Sequence, residues 1–127
     1  MPSMKILLIA GGWSSEREVS LTGARGMQEA LLKRGHAVTF FDLLENFDEL
    51  LETARQHDFA LINLHGSPGE DGLVQAMLEK ADCPYQGSGP SGSFLALNKA
   101  AAKQIFRMAG LPTAAWEFLP VRPAEGW

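Results

Sequence analysis

Of the 127 residues one is cysteine and one is tyrosine, and charge of either sign is sparse: 11 Lys and Arg against 15 Asp and Glu, a net charge of -4. The lone Cys83 excludes an intrachain disulfide and any multi-cysteine zinc site, and it points to a reducing compartment. Without a Lys/Arg cluster the chain lacks the electrostatic footprint of a nucleic-acid binder, so no nucleic-acid partner is expected. No apolar run approaches the roughly 20 residues that span a bilayer, and the amino terminus carries no export signal, so a cytoplasmic protein with no membrane partner is expected. Repeats and low-complexity segments are also absent.

What is present is the composition of an ordinary globular protein, 46% hydrophobic and 20% charged, in a chain long enough for one core. Residues 5–10, a short apolar run before two glycines, read as a strand buried on both faces. Val19, Gly23, Met27, Ala30 and Leu31 recur at helical spacing up to a stop at Gly35, with Gly23 and Gly26 letting that helix lie close on a sheet. Ala37–Phe41 reads as a second strand and Phe59–Leu64 as a third. Between them, Phe47, Leu50, Leu51 and Ala54 lie on one face of a helix, and after the third strand Val74, Met77, Leu78 and Ala81 give another. The alternation predicts an α/β fold, a parallel sheet flanked by helices. Ligands bind such sheets beyond the carboxyl ends of the strands, so the loops starting at Gly11 and His65 are expected to share one rim.

Beyond Tyr85 the pattern changes. The small, polar loop "QGSGPSGS" leads into one helical stretch carrying Phe94, Leu97, Ala101, Ile105 and Met108, stopped by Gly110 and Pro112. "TAAWEFLP" then reads as a strand opening a new unit, and the chain ends seven residues after Pro120. The tail thus reads as the start of a second unit.

Chemistry-bearing side chains are few. Ser15 and Glu18 fit a capping box at the start of the first helix. Glu16, in the first turn, is explained equally by the helix dipole or by a cation it receives. "GGWSSE" is not the G-x-G-x-x-G of dinucleotide sites, and "GSGPSGS" lacks the lysine of a P-loop, because Lys99 comes too late. His65 at a strand end is a core imidazole or a site residue, and Gly66 lets a ligand approach the backbone. Glu70 and Asp71 read as dipole partners of the next helix, His36 and His57 as surface residues, and Cys83 as a small buried side chain.

Taken together, "GGWSSEREVSLTGA", "LHGSPGEDGLVQAMLE", "PYQGSG" and "NKAAAKQIFRMAGLPT" resemble, in order and spacing, the amino-terminal part of the D-alanine--D-alanine ligases, ATP-grasp enzymes of peptidoglycan synthesis. The resemblance covers residues 5–119. It implies a Rossmann-like pre-ATP-grasp, substrate-binding domain over residues 4–96 followed by the truncated beginning of an ATP-grasp domain over residues 97–127, in a homodimeric enzyme that uses ATP and magnesium. In that family ATP phosphorylates the carboxylate of one D-alanine, and the amine of a second attacks the acyl phosphate. The resemblance places Glu16 on the glutamate that receives the first ammonium, Val19 where the substrate methyl packs, His65 and Gly66 in the same pocket, and Lys99 on a lysine that reaches the ATP phosphates. Catalytic roles fall to Glu16 and His65, while the metal ligands lie beyond this chain, which alone is expected to be inert. Asn98 departs from the usual M-D-K. Two alternatives stand beside this reading: a ligase with D-lactate or D-serine as acceptor, and a stand-alone binding module of this fold.

Overall fold

The computed structural model describes residues 2–121. Three strands, β1 (Lys5–Ala10), β2 (Ala37–Asp42) and β3 (Phe59–Asn63), form a parallel sheet in the order β2-β1-β3. The register runs Ile6 beside Val38 and Phe59, ending with Ala10 beside Asp42 and Asn63. The sheet's β3 edge is prolonged by one parallel bridge between Ala60 and Tyr85. There the Gln86 side chain imitates a strand, its Oε1 accepting from Ile62 N at 3.0 Å and its Nε2 donating to Ile62 O at 2.6 Å.

Alternation along β1 divides the core as its apolar run requires. Leu8 and Ala10 pack with Ala24, Leu21, Val38, Phe40 and Leu61 on the face covered by α1 (Arg17–Lys33). Leu7 and Ile9 face the larger cluster of Phe41, Leu43, Leu50, Ala54, Ala60, Leu64, Val74, Leu78, Ala81 and Cys83. That cluster is closed by α2 (Leu43–Asn46), a 3-10 turn (Phe47–Glu49), α3 (Leu50–Ala54) and α4 (Leu73–Lys80). The α/β fold with a parallel sheet flanked by helices is therefore as expected. Where one helix was expected around Phe47–Ala54, the chain instead makes these two short helices about a 3-10 turn.

The buried face of α1 differs from the expected one. Val19 is 62% exposed and Met27 sits at the surface, whereas Ser20 and Ala24 are completely buried. Small side chains, not the periodic apolar ones, face the sheet, because α1 approaches β3 closely enough for a Cβ on Gly23 to lie 3.1 Å from Asn63 Nδ2. Gly26 has no such neighbour within 4 Å. The helix ends at Gly35 as its sequence predicts. Gly35 has a φ of 84°, its N–H bonds Leu32 O, and His36 N–H bonds Leu31 O, the paired closure that spares the last carbonyls.

The other histidines are half-buried, contrary to the surface reading. His36 Nδ1 accepts from Met4 N, and His57 bridges Thr53 O and Thr39 Oγ1 at 2.7 and 2.8 Å, tying the end of α3 to β2. The single helix expected after Tyr85 is two helices, α5 (Pro90–Leu97) and α6 (Lys99–Met108). Pro90 at the first helical position draws part of the small, polar loop into α5. Asn98 is extended and accepts from Ala101 N at 3.1 Å, so it breaks the run and caps α6. Thr113–Leu119 forms no strand; the last six residues of the expected second unit lie outside the described ones. No helix among the described residues is long and apolar enough to cross a membrane.

Candidate functional site

All three strands end at one rim, and the segments that leave them there are packed together. β1 runs into Gly11 and Gly12, with φ of 79° and 77°, a left-handed pair that only glycine adopts freely. The turn they make is set against the loop after β3: a Cβ on Gly12 would lie 3.3 Å from Leu64 Cδ2 and 3.5 Å from Pro68 Cδ, and one on Gly66 3.4 Å from Ser14 Cβ. The two loops thus share the rim, as expected.

Helix α1 opens at this turn without the expected capping box. Glu16 is its N-cap and makes no side-chain cap bond. The helix starts later than Ser15 requires, because Ser14 Oγ takes the Glu16 N–H at 3.2 Å and Ser14 O the Arg17 N–H. Glu16 and Glu18 consequently point no bond into the cap, and both are exposed. Among the described residues the ion pairs are Arg17 with Asp42 and Arg55 with Glu52, so neither glutamate is neutralised. Exposed Val19 follows one turn on, beside a shallow pocket lined by Glu18, Val19, Thr22 and Gly23.

Two side chains hold α1 to the strand ends. Ser20 Oγ accepts from Gly11 N at 2.8 Å and donates to Asn63 O, while Asn63 Nδ2 donates to Ser20 O at 2.7 Å. Arg17 reaches Asp42, the last residue of β2, through both terminal nitrogens, at 2.7 and 2.5 Å. The hydrogen bond from Arg17 holds the Asp42 carboxyl below the usual carboxylate range. None of these four residues is marked by sequence spacing; a serine inside a helix and polar residues closing two apolar strands are the only hints.

The loop His65–Gly72 is braced by its own acids. Glu70 Oε2 accepts from Gly66 N at 2.8 Å, and Asp71 accepts from Ser67 Oγ and, at 3.0 Å, from Leu73 N. They therefore bind the loop backbone as well as standing at the start of α4. His65 and Gly66 are half-buried at the rim end of this loop. Its other end forms one wall of a cavity of about 390 Å³ lined by Gly69, Glu70, Gln75, Ser88, Ser93 and Lys99. Gln75, 6% exposed, donates to Gly69 O at 2.6 Å, and its Oε1 has no partner among the described residues. The structure thus brings Glu16, Val19, His65 and Gly66 to one rim and sets Lys99, the first residue of α6, at the far side of the same loop.

A parallel α/β unit with polar side chains gathered beyond the strand ends defines the class: an open-sheet α/β domain, a class whose ligands bind at that rim. No protein-family model matches the chain. Its relatives are nevertheless specific. It is 75% identical over 124 residues to a D-alanine--D-alanine ligase of Desulfovibrio desulfuricans and 68% identical over 124 residues to one of Nitratidesulfovibrio vulgaris, in each case over 98% of this chain. Among solved structures, a D-alanine--D-alanine ligase from Bacillus anthracis complexed with ATP is 36% identical, with a TM-score of 0.84 over 98% of this chain and 43% of that one. A second structure of the ligase from that organism is 40% identical, with a TM-score of 0.82 over 91% of this chain and 38% of that one. The chain spans about 40% of the length of the curated relatives it matches. In sequence and fold it is the counterpart of one part of the D-alanine--D-alanine ligases.

Proposed function

We propose that the chain supplies the first-substrate half of an ATP-dependent D-alanine--D-alanine ligase. The observation that carries this is the exposed, unneutralised Glu16 carboxylate at the rim, one turn before the exposed apolar Val19. An amino acid with a one-carbon side chain offers the complement, an ammonium for the carboxylate and a methyl for the valine. His65, at the rim with Gly66, bonds the carboxylate oxygens of the same substrate during transfer. Lys99, on the far side of the His65–Gly72 loop, meets the ATP phosphates as a point charge.

In this reading the γ-phosphoryl group of ATP passes to the D-alanine carboxylate, giving ADP and D-alanyl phosphate. The amine of a second D-alanine then attacks the acyl carbon, and phosphate leaves as the peptide bond forms. Residues 4–96 act as the substrate-binding domain and residues 97–127 open the ATP-grasp domain. That boundary is supported by Asn98, whose extended backbone separates α5 from α6, and by the absence of buried residues in α6. Magnesium accompanies ATP in the family. The resemblance assigns its ligands to a later part of the family's enzymes than the part this chain matches. The family resemblance further supports a homodimer and a role in peptidoglycan synthesis, and the reduced, buried Cys83 suits the cytoplasm.

The test is ADP release by the complete enzyme in its natural reading frame, with D-alanine titrated against L-alanine, D-lactate and D-serine. Dipeptide formation that requires D-alanine is expected. Glu16→Gln should raise KM for the first D-alanine by about 10- to 100-fold, the range for a hydrogen bond to a charged group. ADP release indifferent to D-alanine would refute the reading.

A further inference from the structure

The run Glu16-Arg17-Glu18 places a cation between two carboxylates at one helix start, and the structure separates them. Arg17 bonds neither neighbour but makes the bidentate pair with Asp42, and its Nη1 also donates to Gly12 O at 3.3 Å. The pair is set into the turn: a Cβ on Gly11 would collide with Arg17 Nη1 and with Asp42 Oδ1. Both side chains are largely covered, 23% and 16% exposed. Two consequences follow for Glu16. Its backbone is fixed from both sides, by Ser14 Oγ on its own N–H and by the anchored residue that follows. Its carboxylate is also left without a guanidinium, so an arriving ammonium has no internal cation to displace.

We propose that Arg17, held by Asp42, is a positioning residue for Glu16, fixing the turn and keeping its own charge off the carboxylate. This rests on the reading of Glu16 as the ammonium receptor. The Asp42 partner matters as much as the arginine: with the carboxylate gone, the guanidinium is released beside Glu16 and Glu18 and competes with the substrate's ammonium.

The experiment is steady-state kinetics of the complete enzyme carrying Arg17→Met, Asp42→Asn and the double change, each also combined with Glu16→Gln. Expected for Arg17→Met is a rise of tenfold or more in KM for the first D-alanine, with KM for ATP within twofold. Asp42→Asn should be worse than Arg17→Met, and the double variant should recover toward Arg17→Met. In the Glu16→Gln background the same changes should shift KM by less than twofold, since a residue acting through Glu16 has nothing left to act on. An unchanged first-substrate KM, equal rises in both KM values, or an undiminished effect without Glu16 would overturn the proposal. If Arg17→Met does not fold, the near-isosteric Asp42→Asn decides alone. Wild-type enzyme that ignores D-alanine refutes the ligase reading itself, whereas D-alanine-dependent wild-type activity with unresponsive variants refutes the positioning role only.

Discussion

Ser20 and Asn63 hold each other reciprocally: the Asn63 amide donates to Ser20 O at 2.7 Å while Ser20 Oγ donates back to Asn63 O. The same hydroxyl accepts from Gly11 N at 2.8 Å, so one buried oxygen joins α1, the glycine turn and the end of β3. Ser20→Ala leaves both the Gly11 N–H and the Asn63 carbonyl short of a partner at a completely buried position. The expected cost is about 2 kcal/mol, within the usual penalty for stranding a buried polar group. Urea unfolding of wild type and variant checks it, and a loss under about 0.5 kcal/mol would show that water replaces the hydroxyl.

Asn98 stands where the motif it resembles usually has an acid, and its position gives the exchange a structural reading. Its side chain caps α6 by accepting from Ala101 N, and Asn and Asp serve this position about equally. Asn98→Asp should therefore preserve α6, adding roughly 0.3 to 1 kcal/mol through the helix dipole, whereas Asn98→Ala should cost about 1 kcal/mol. Thermal unfolding followed by helical circular dichroism distinguishes them. Equal loss in both variants would mean that Asn98 does something other than cap.

The sheet and its rim were legible because they depend on local pattern. An uninterrupted apolar strand, a glycine pair and a third strand ending before His65 leave few places for a ligand. The register of α1 was not legible: its apolar period points to Val19 and Met27, but close approach to β3 favours the small Ser20 and Ala24. The break at Asn98 was hidden because apolar residues on both sides keep helical spacing. Arg17 and Asp42 lie 25 positions apart, a separation over which sequence carries no pairing signal. Glu16, Val19, His65, Gly66 and Lys99 were singled out by family resemblance, since each alone has an adequate structural explanation.

Cys83 is 3% exposed in the larger core cluster. Burial, with a smaller contribution from Asp58, pushes its thiol above the ordinary range. Both effects oppose modification, because the thiolate is the reactive form and the native packing denies a reagent access. Labelling by a neutral disulfide reagent at pH 8 should run at least about a thousandfold slower in native protein than in urea, limited by transient opening. Prompt native labelling would mean that the Cys83–Pro84 segment opens locally.

The Arg17–Asp42 pair should also leave a pH signature. The hydrogen bond from Arg17 depresses the folded-state pKa of Asp42, so the unfolded chain takes up the proton first as pH falls. The pair's contribution is therefore complete above the unfolded carboxylate pKa of about 3.9 and is lost as pH drops through that value toward the lower folded pKa. Wild type should exceed Asp42→Asn in urea midpoint by a constant margin from pH 8 to 5, and the margin should close below about pH 4. Added salt should shrink it little, because the pair is mostly covered, whereas the exposed Arg55–Glu52 contact should be screened. A margin that persists unchanged at pH 3 would mean that the advantage of Asp42 over asparagine does not come from its charge.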